Sequence, residues 1–325
     1  MERTYELLLG ESCLGLAPPP YTPSQQIRHA HCRHWLIATG CIAEQVFDGR
    51  YAYLYHYEYW INQETVIPIQ AHKGDLHLIY ALATTGIITS DIHPHELQAA
   101  QGAYLYLPVG IHEIKLQAGH HILVGFIIDA GIFRAPADRQ FTFLAPLIQA
   151  KKTCSSSLPA PIGFYIATAT IHYIKLLFRK LNPRTLDNEY ILLQHLIFLI
   201  HLTRFKLTKD SGANDRQDWA RRAHQLLRHL VVQQGAQAKL KDLSSLLGLG
   251  LPQLRQLYKA RYHITLRTYR NRLLLEVIKD ILPQNEKLIQ SAEQAGFSGM
   301  SEMNRFIRKQ TGLTTSGLKN QLMDK

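Results

Sequence analysis

Two sets of side chains near the C-terminus have the chemistry to read nucleic-acid bases. Gln253, Arg255, Gln256 and Lys259 fall in one short stretch; Ser301, Asn304, Arg305 and Arg308 fall in another, about 48 residues later. Arginine can grip guanine through two parallel donors, asparagine and glutamine can do the same to adenine, and lysine suits a phosphate. A different chemistry sits at the front of the chain. Eleven histidines (His29, His31, His34, His56, His72, His77, His93, His95, His112, His120 and His121) lie in the first 121 residues. Histidine is a common transition-metal ligand, so a metal site has to be weighed against a merely histidine-rich sheet.

Both C-terminal sets belong to a repeat. "SSLLGLGLPQLRQLYKARYHIT" (244–265) runs parallel to "AEQAGFSGMSEMNRFIRKQTGLT" (292–314). Gly248 matches Gly296 and Leu249 matches Phe297. Leu254 then matches Met303, Tyr258 matches Ile307, His263 matches Gly312 and Thr265 matches Thr314. The offset is 48 before the corner and 49 after it, so the second copy carries one extra residue in its turn. Each copy reads as a short helix, a glycine that permits a sharp reversal, and a second helix. Apolar residues on both sides of the corner (Leu246, Leu247, Leu254 and Tyr258; Ala292, Ala295, Phe297, Met303 and Ile307) would lock the crossing angle. The opposite face of the second helix is then free for a major groove. A longer helix over about 266–282 joins the two units.

The charge distribution places these units in a basic segment. Residues 1–150 hold 8 Lys+Arg against 13 Asp+Glu, a net of −5; residues 151–213 hold 9 against 3, and residues 214–325 hold 19 against 9. A polyanionic partner is therefore expected for the back of the chain alone. At 325 residues, 46% hydrophobic and 19% charged, the chain reads as two or three globular domains. Cys13, Cys32, Cys41 and Cys154 lack a paired spacing and read as reduced thiols of a cytosolic protein. The first residues lack the signature of a signal peptide. The most apolar run, 190–202, is too short to span a bilayer and reads as a buried helix.

From about residue 33 to 130 the apolar period is two, which implies strands in an antiparallel sandwich or barrel. In "RYAYLYHYEYW" (50–60), Tyr51, Tyr53, Tyr55, Tyr57 and Tyr59 share one face. That face is expected to cover neighbouring strands, or else to line a ligand pocket. Two apolar helical stretches follow within 151–213, broken by "NPRT", and form an αα-hairpin that needs a partner surface. "KDSGANDR" (209–216) marks the next boundary.

Residues 214–320 resemble the AraC/XylS family of transcriptional regulators, whose DNA-binding domain has two helix-turn-helix units joined by a long helix. The family's A-x-x-x-G-F-S is present as Ala292, Gly296, Phe297 and Ser298, with Arg305, Gly312-Leu313-Thr314 and Lys319 after it. Carried over by position, the resemblance implies base readers at Pro252, Arg255 and Gln256, and at Met300, Ser301, Glu302, Asn304 and Arg305. The sequence departs from the family at Met303, Ile307-Arg308, Thr315, Leu274-Leu275 and Ile278, mostly apolar for apolar.

The resemblance implies an α+β chain in three parts. These are a cupin-like β-rich sensor barrel (1–150), a helical dimerisation hairpin (151–213), and a double helix-turn-helix domain (214–325). It implies a cytoplasmic, homodimeric regulator, not an enzyme, that needs no cofactor. Its partners would be double-stranded DNA, a small-molecule effector and RNA polymerase, with no membrane. Residues 102–121 are also similar to a subgroup associated with outer-membrane uptake and siderophore genes, which implies an iron-related effector. One rival reading is a cupin-type metalloenzyme whose basic helices form a nucleic-acid or protein platform. Its candidate ligands are "HPHE" (93–96) and His112, although Pro94 favours a surface turn and "PVGIHE" is one residue short of the enzyme motif. Another is a constitutive DNA-binding protein whose front domain only dimerises.

Overall fold

The computed structural model describes residues 3–28, 30–49, 52–84, 88–90, 97–133, 141–181, 188–207, 216–285 and 287–323. The chain divides into two compact units, Met1–Leu207 and Thr208–Lys325. His29, Tyr51, the "HPHE" segment and all but the last residue of 209–216 lie outside the described residues.

The first unit begins with strands β1 (Tyr5–Leu7), β2 (Cys13–Leu14), β3 (His31–Ile37), β4 (Gly40–Asp48), β5 (Ala52–Ile61) and β6 (Thr65–Ala71). Strands β7 (Asp75–Thr84), β8 (Ile88–Ser90), β9 (Gln101–Leu107), β10 (Gly110–Leu116) and β11 (Gly119–Ile128) follow. Helix α1 (Ala145–Lys152), strand β12 (Ile162–Tyr165) and helices α2 (Thr168–Lys180) and α3 (Asn188–Leu207) complete it. The strands form an eight-stranded sheet, ordered β12-β9-β7-β11-β5-β4-β3-β2, and a four-stranded sheet, ordered β1-β6-β10-β8. Every pairing is antiparallel.

The two sheets pack face to face around a shared core that includes Tyr5, Ile67 and Ile69 from one and Tyr55, Tyr57 and Leu105 from the other. The expected barrel does not close among the described residues. Closure would require edge strands of the two sheets to pair, but edges β1, β2 and β8 span only three, two and three residues and ladder within their own sheets. Pro108 and Val109 carry the chain from β9 in the large sheet to β10 in the small one.

Strand β5 has buried residues on both faces. Its tyrosine face looks between the sheets; its other face lies under the helices, where the His56 ring meets Phe178 of α2 edge-on at 5.8 Å. Helix α3 is apolar all round and mostly buried, as such a helix must be. Leu177, Phe178, Leu196 and Leu199 are at most 1% exposed. These positions of the hairpin are therefore covered within this chain.

The second unit is all helix: α4 (Arg216–Gln234), α5 (Leu240–Leu247), α6 (Leu251–Tyr262), α7 (Leu266–Ile281), α8 (Leu288–Gln294), α9 (Met300–Thr311) and α10 (Thr315–Met323). Ala220, Ala223, Leu227, Leu230 and Val231 make one buried stripe on α4 at helical spacing. Leu274 and Ile278, two departures from the family pattern, are core residues of α7.

Burial in the first unit leaves three imidazoles neutral. Desolvation lowers His56 to about 4, His77 to about 3 and His195 to about 4. Unfolding exposes them to water, where each binds a proton below about pH 6.5. Folding stability should thus be full above that pH and fall as pH drops toward 4, by about 4 kcal/mol per pH unit if all three titrate together. Urea midpoints between pH 7 and 4.5 measure this slope, and His56→Gln should reduce it by about one proton. A flat profile would mean these rings are charged or paired in the folded state. At Gly125 an added Cβ would overlap the Tyr55 ring. Gly125→Ala should therefore cost about 1–3 kcal/mol through overpacking, read from the same denaturation curves.

Candidate nucleic-acid interface and an interior cavity

Each repeat forms a helix-turn-helix. In the first, α5 ends on Gly248 in the left-handed conformation (φ 64°), and α6 starts at Leu251. In the second, Gly296 (φ 76°) follows α8 and α9 starts at Met300. Two residues separate Gly248 from α6 and three separate Gly296 from α9, which locates the extra residue. Leu254 and Met303 are both fully buried, as are Tyr258 and Ile307. The far ends also correspond. His263 (φ 57°) and Gly312 (φ 79°) both terminate their helices in the left-handed region. Two residues later Thr265 Oγ1 accepts from Thr268 N–H (3.0 Å), and Thr314 Oγ1 accepts from Gly317 N–H (3.1 Å).

The buried faces fix what is left outside. On α6, Pro252, Gln253, Arg255, Gln256 and Lys259 are exposed, with Pro252 in the first turn, where its missing N–H costs nothing. On α9, Ser301, Arg305 and Arg308 are exposed, whereas Met300 is half-buried. Two expected readers are engaged within the fold. Asn304 Oδ1 accepts from both Thr315 N–H (3.0 Å) and Thr315 Oγ–H (3.2 Å), so its acceptor is committed to the start of α10. Glu302 Oε2 accepts from Ser298 N–H (3.0 Å) and Ser298 Oγ–H (2.8 Å), tying the corner to the first turn of α9. The backbone bond from Ser298, with its hydroxyl, holds this carboxyl below the ordinary carboxylate range. These bonds give Glu302 a structural role.

The two units are held by contacts that the repeat alone does not reveal. Gly235, just after α4, has φ 55°, and a Cβ there would overlap the Ala295 carbonyl oxygen. A Cβ on Gly296 would in turn overlap the Gln234 carbonyl oxygen. Ala236 N–H donates to Ala295 O across the same contact (2.8 Å). Arg270 of α7 donates to the carbonyls of Ala238 (2.6 Å) and Ala236 (2.5 Å), closing the far side of that turn. His224 of α4 bridges the Tyr258 and Tyr269 hydroxyls at 2.9 Å each and stacks on the Tyr269 ring at 4.0 Å. Lys319 Nζ donates to Asn285 O (2.6 Å). A lone glycine closing a helix was the only sequence signal for Gly235, and none marked His224.

In the first unit the tyrosine face lines a cavity of about 90 Å³ between the sheets. Tyr55, Tyr57, Tyr59 and His77 meet Tyr5 and Ile69 there. Two of the lining tyrosines are tied to a polar network outside the lining: Arg3 makes two bonds to Glu44 (2.7 and 3.0 Å), and the Tyr57 hydroxyl donates to Glu44 Oε1 (2.6 Å) and lies 3.1 Å from the Tyr5 hydroxyl. On another wall the Tyr55 hydroxyl lies 3.1 Å from His77 Nδ1, while His77 Nε2 is buried with no partner. The metal reading finds no such convergence. His112 Nε2 bonds the Pro108 carbonyl (3.0 Å), and His120 and His121 bond Glu58 (2.6 Å) and Thr84 (2.6 Å). Among the described residues no cluster of three or more His, Cys, Asp or Glu is arranged to hold a metal ion.

The corner geometry separates three glycines experimentally. Gly248→Ala meets open space and should cost only about 1–2 kcal/mol for the left-handed backbone. Gly235→Ala and Gly296→Ala add a backbone clash and should each cost clearly more. Thermal unfolding of the three variants compares them directly; equal losses would mean that the close approach is not rigid.

A helix-turn-helix domain model matches residues 243–321. No protein of curated function matches the sequence. Among solved structures, the chain is similar to unsaturated fatty acid-bound ToxT from Vibrio cholerae (10% identity over 84% of this chain and 96% of that one, TM-score 0.29). It is also similar to the AraC-like activator CuxR (9%, 75% and 86%, TM-score 0.34). A third is the C-terminal domain of AraT, a response regulator from Geobacillus stearothermophilus (16%, 32% and 84%, TM-score 0.29). Likenesses this distant carry no argument about function. The matched model and the paired units together identify residues 243–321 as a helix-turn-helix domain.

Proposed function

We propose that α6 and α9 read successive major grooves of one DNA site, and that a small molecule held between the two sheets modulates this binding. The observation that carries the DNA half is the matched outer face of the two second helices. Arg255, Gln256 and Lys259 stand exposed on one, and Ser301, Arg305 and Arg308 on the other, over corresponding buried residues, Leu254 with Met303 and Tyr258 with Ile307. Arg305 supplies a guanine contact on the second helix. Arg308 and Lys259, in the last turns of their helices, suit phosphates.

The effector half is supported by the tyrosine-lined cavity, an almost wholly apolar space between the sheets. The cytoplasm suits four free cysteines, and among the described residues no helix is long and apolar enough to cross a membrane. Contact with RNA polymerase near a promoter, and homodimerisation through 151–213, rest on the family resemblance alone. Sedimentation of the purified chain tests the second.

Genome-wide mapping of bound DNA, followed by affinity measurement on the recovered site, tests the reading. Arg305→Ala should cost about 1–3 kcal/mol at one base pair and relax specificity there. Equal loss on specific and random DNA would remove Arg305 as a base reader. Asn304→Ala should behave differently. It weakens the start of α10 by about 1 kcal/mol and lowers affinity for all sequences alike, because its acceptor caps a helix.

A further inference from the structure

We propose that His224 is the positioning residue of the first reading helix: its Nδ1 holds the Tyr258 hydroxyl of α6 and so sets how Arg255 and Gln256 meet their bases. This deepens the DNA-reading proposal above and rests on it for its meaning at the DNA, whereas the coupling of α4 to α6 stands on the fold.

The state of the ring follows from burial. Tyr258 is fully buried, and among the described residues His224 Nδ1, at 2.9 Å, is the only hydrogen-bond partner of its hydroxyl. A buried hydroxyl either donates its proton or leaves it unsatisfied, so Nδ1 has to accept. The ring proton then lies on Nε2 and goes to the Tyr269 hydroxyl of α7, also at 2.9 Å. Tyr269 is only half-buried, so its own proton can go to water. The other neutral tautomer strands the Tyr258 proton, and so does a charged ring, which donates from both nitrogens.

The ring is also held by stacking, 4.7 Å from the Tyr262 ring of α6 and 4.0 Å from that of Tyr269. Arg255 and Gln256 lie in the turn of α6 just before Tyr258. A rotation of α6 that released the stranded hydroxyl would therefore turn both readers with it. The second unit has no such dependence, because buried, apolar Ile307 stands where the first has Tyr258. Burial, and then Arg228 on α4, hold His224 below the ordinary imidazole range. Arg272 and Glu276 of α7 are the other charged groups near the cluster, and Tyr262 completes its titratable groups. First-half reading is thus full above about pH 6.5 and is lost as pH falls through the lowered value.

The probe is a duplex selected from a random-sequence library by the full chain near pH 7, with Arg305→Ala marking the half read by α9. His224→Phe keeps a stacked ring but offers no acceptor. It should weaken binding roughly fivefold or more, flatten base discrimination in the first half alone, and speed amide exchange in α6 but not in α9. Tyr258→Phe removes the hydroxyl that needs an acceptor, so the double variant should bind within about twofold of Tyr258→Phe alone. Between pH 7 and about 5.5 the unaltered chain should lose first-half discrimination relative to the second half, and Tyr258→Phe should remove that difference. Additive losses in the double variant, equal loss of discrimination in both halves, or unchanged exchange in α6 would each overturn the proposal. If the second half responds to Arg305→Ala while neither half responds to His224→Phe, the positioning role alone falls. If no sequence-selective duplex is recovered, the DNA-reading proposal falls, and exchange in α6 decides whether His224 positions that helix.

Discussion

Two backbone segments of the DNA-binding unit come closer than any side chain permits. Gly235 sits against the Ala295 carbonyl and Gly296 against the Gln234 carbonyl, with one amide hydrogen bond between them. The placement of the second helix-turn-helix follows from this contact. Arg270 neutralises the carbonyls that the turn exposes, so α7 is tied to the same point from its own side. The first unit is anchored differently, through His224 and the two tyrosine hydroxyls. The two helix-turn-helix units thus share one scaffold helix, α4, by two unrelated chemistries: close backbone packing at its end and aromatic stacking along its side.

The front unit solves the opposite problem. Where the helical unit packs backbone on backbone, the facing sheets leave a space lined by tyrosine rings, His77 and aliphatic side chains. Outside that lining, Glu44, Arg3 and Tyr57 satisfy one another. His77 is only half satisfied. An interior built for stability alone would place an aliphatic residue there.

The repeat was legible in the sequence because it is written in backbone constraints. A left-handed residue followed two positions later by a capping threonine recurs as His263/Thr265 and Gly312/Thr314. The odd tyrosines of β5 were legible as one face, since period two admits a single reading. What escaped depends on contacts between distant segments. Strand alternation does not say whether edges meet, so an open pair of sheets and a closed barrel look alike in the sequence. The hairpin's apolar stripes were read as needing a second copy because nothing local shows the eight-stranded sheet beneath them. Asn304 was assigned to DNA by its helix position, yet its amide oxygen finds Thr315 eleven residues on.

That last bond bears on modularity. At position 255 the first unit carries a free arginine, while its counterpart in the second, Asn304, also holds the next helix in place. The repeats are therefore alike in fold but unequal in evolvability. The first reading face can drift to new base preferences with little structural cost. The second can do so only at Ser301, Arg305 and Arg308, because changing Asn304 loosens the start of α10. A regulator built this way would diversify its targets chiefly through one half of its site and keep the other half as a fixed anchor.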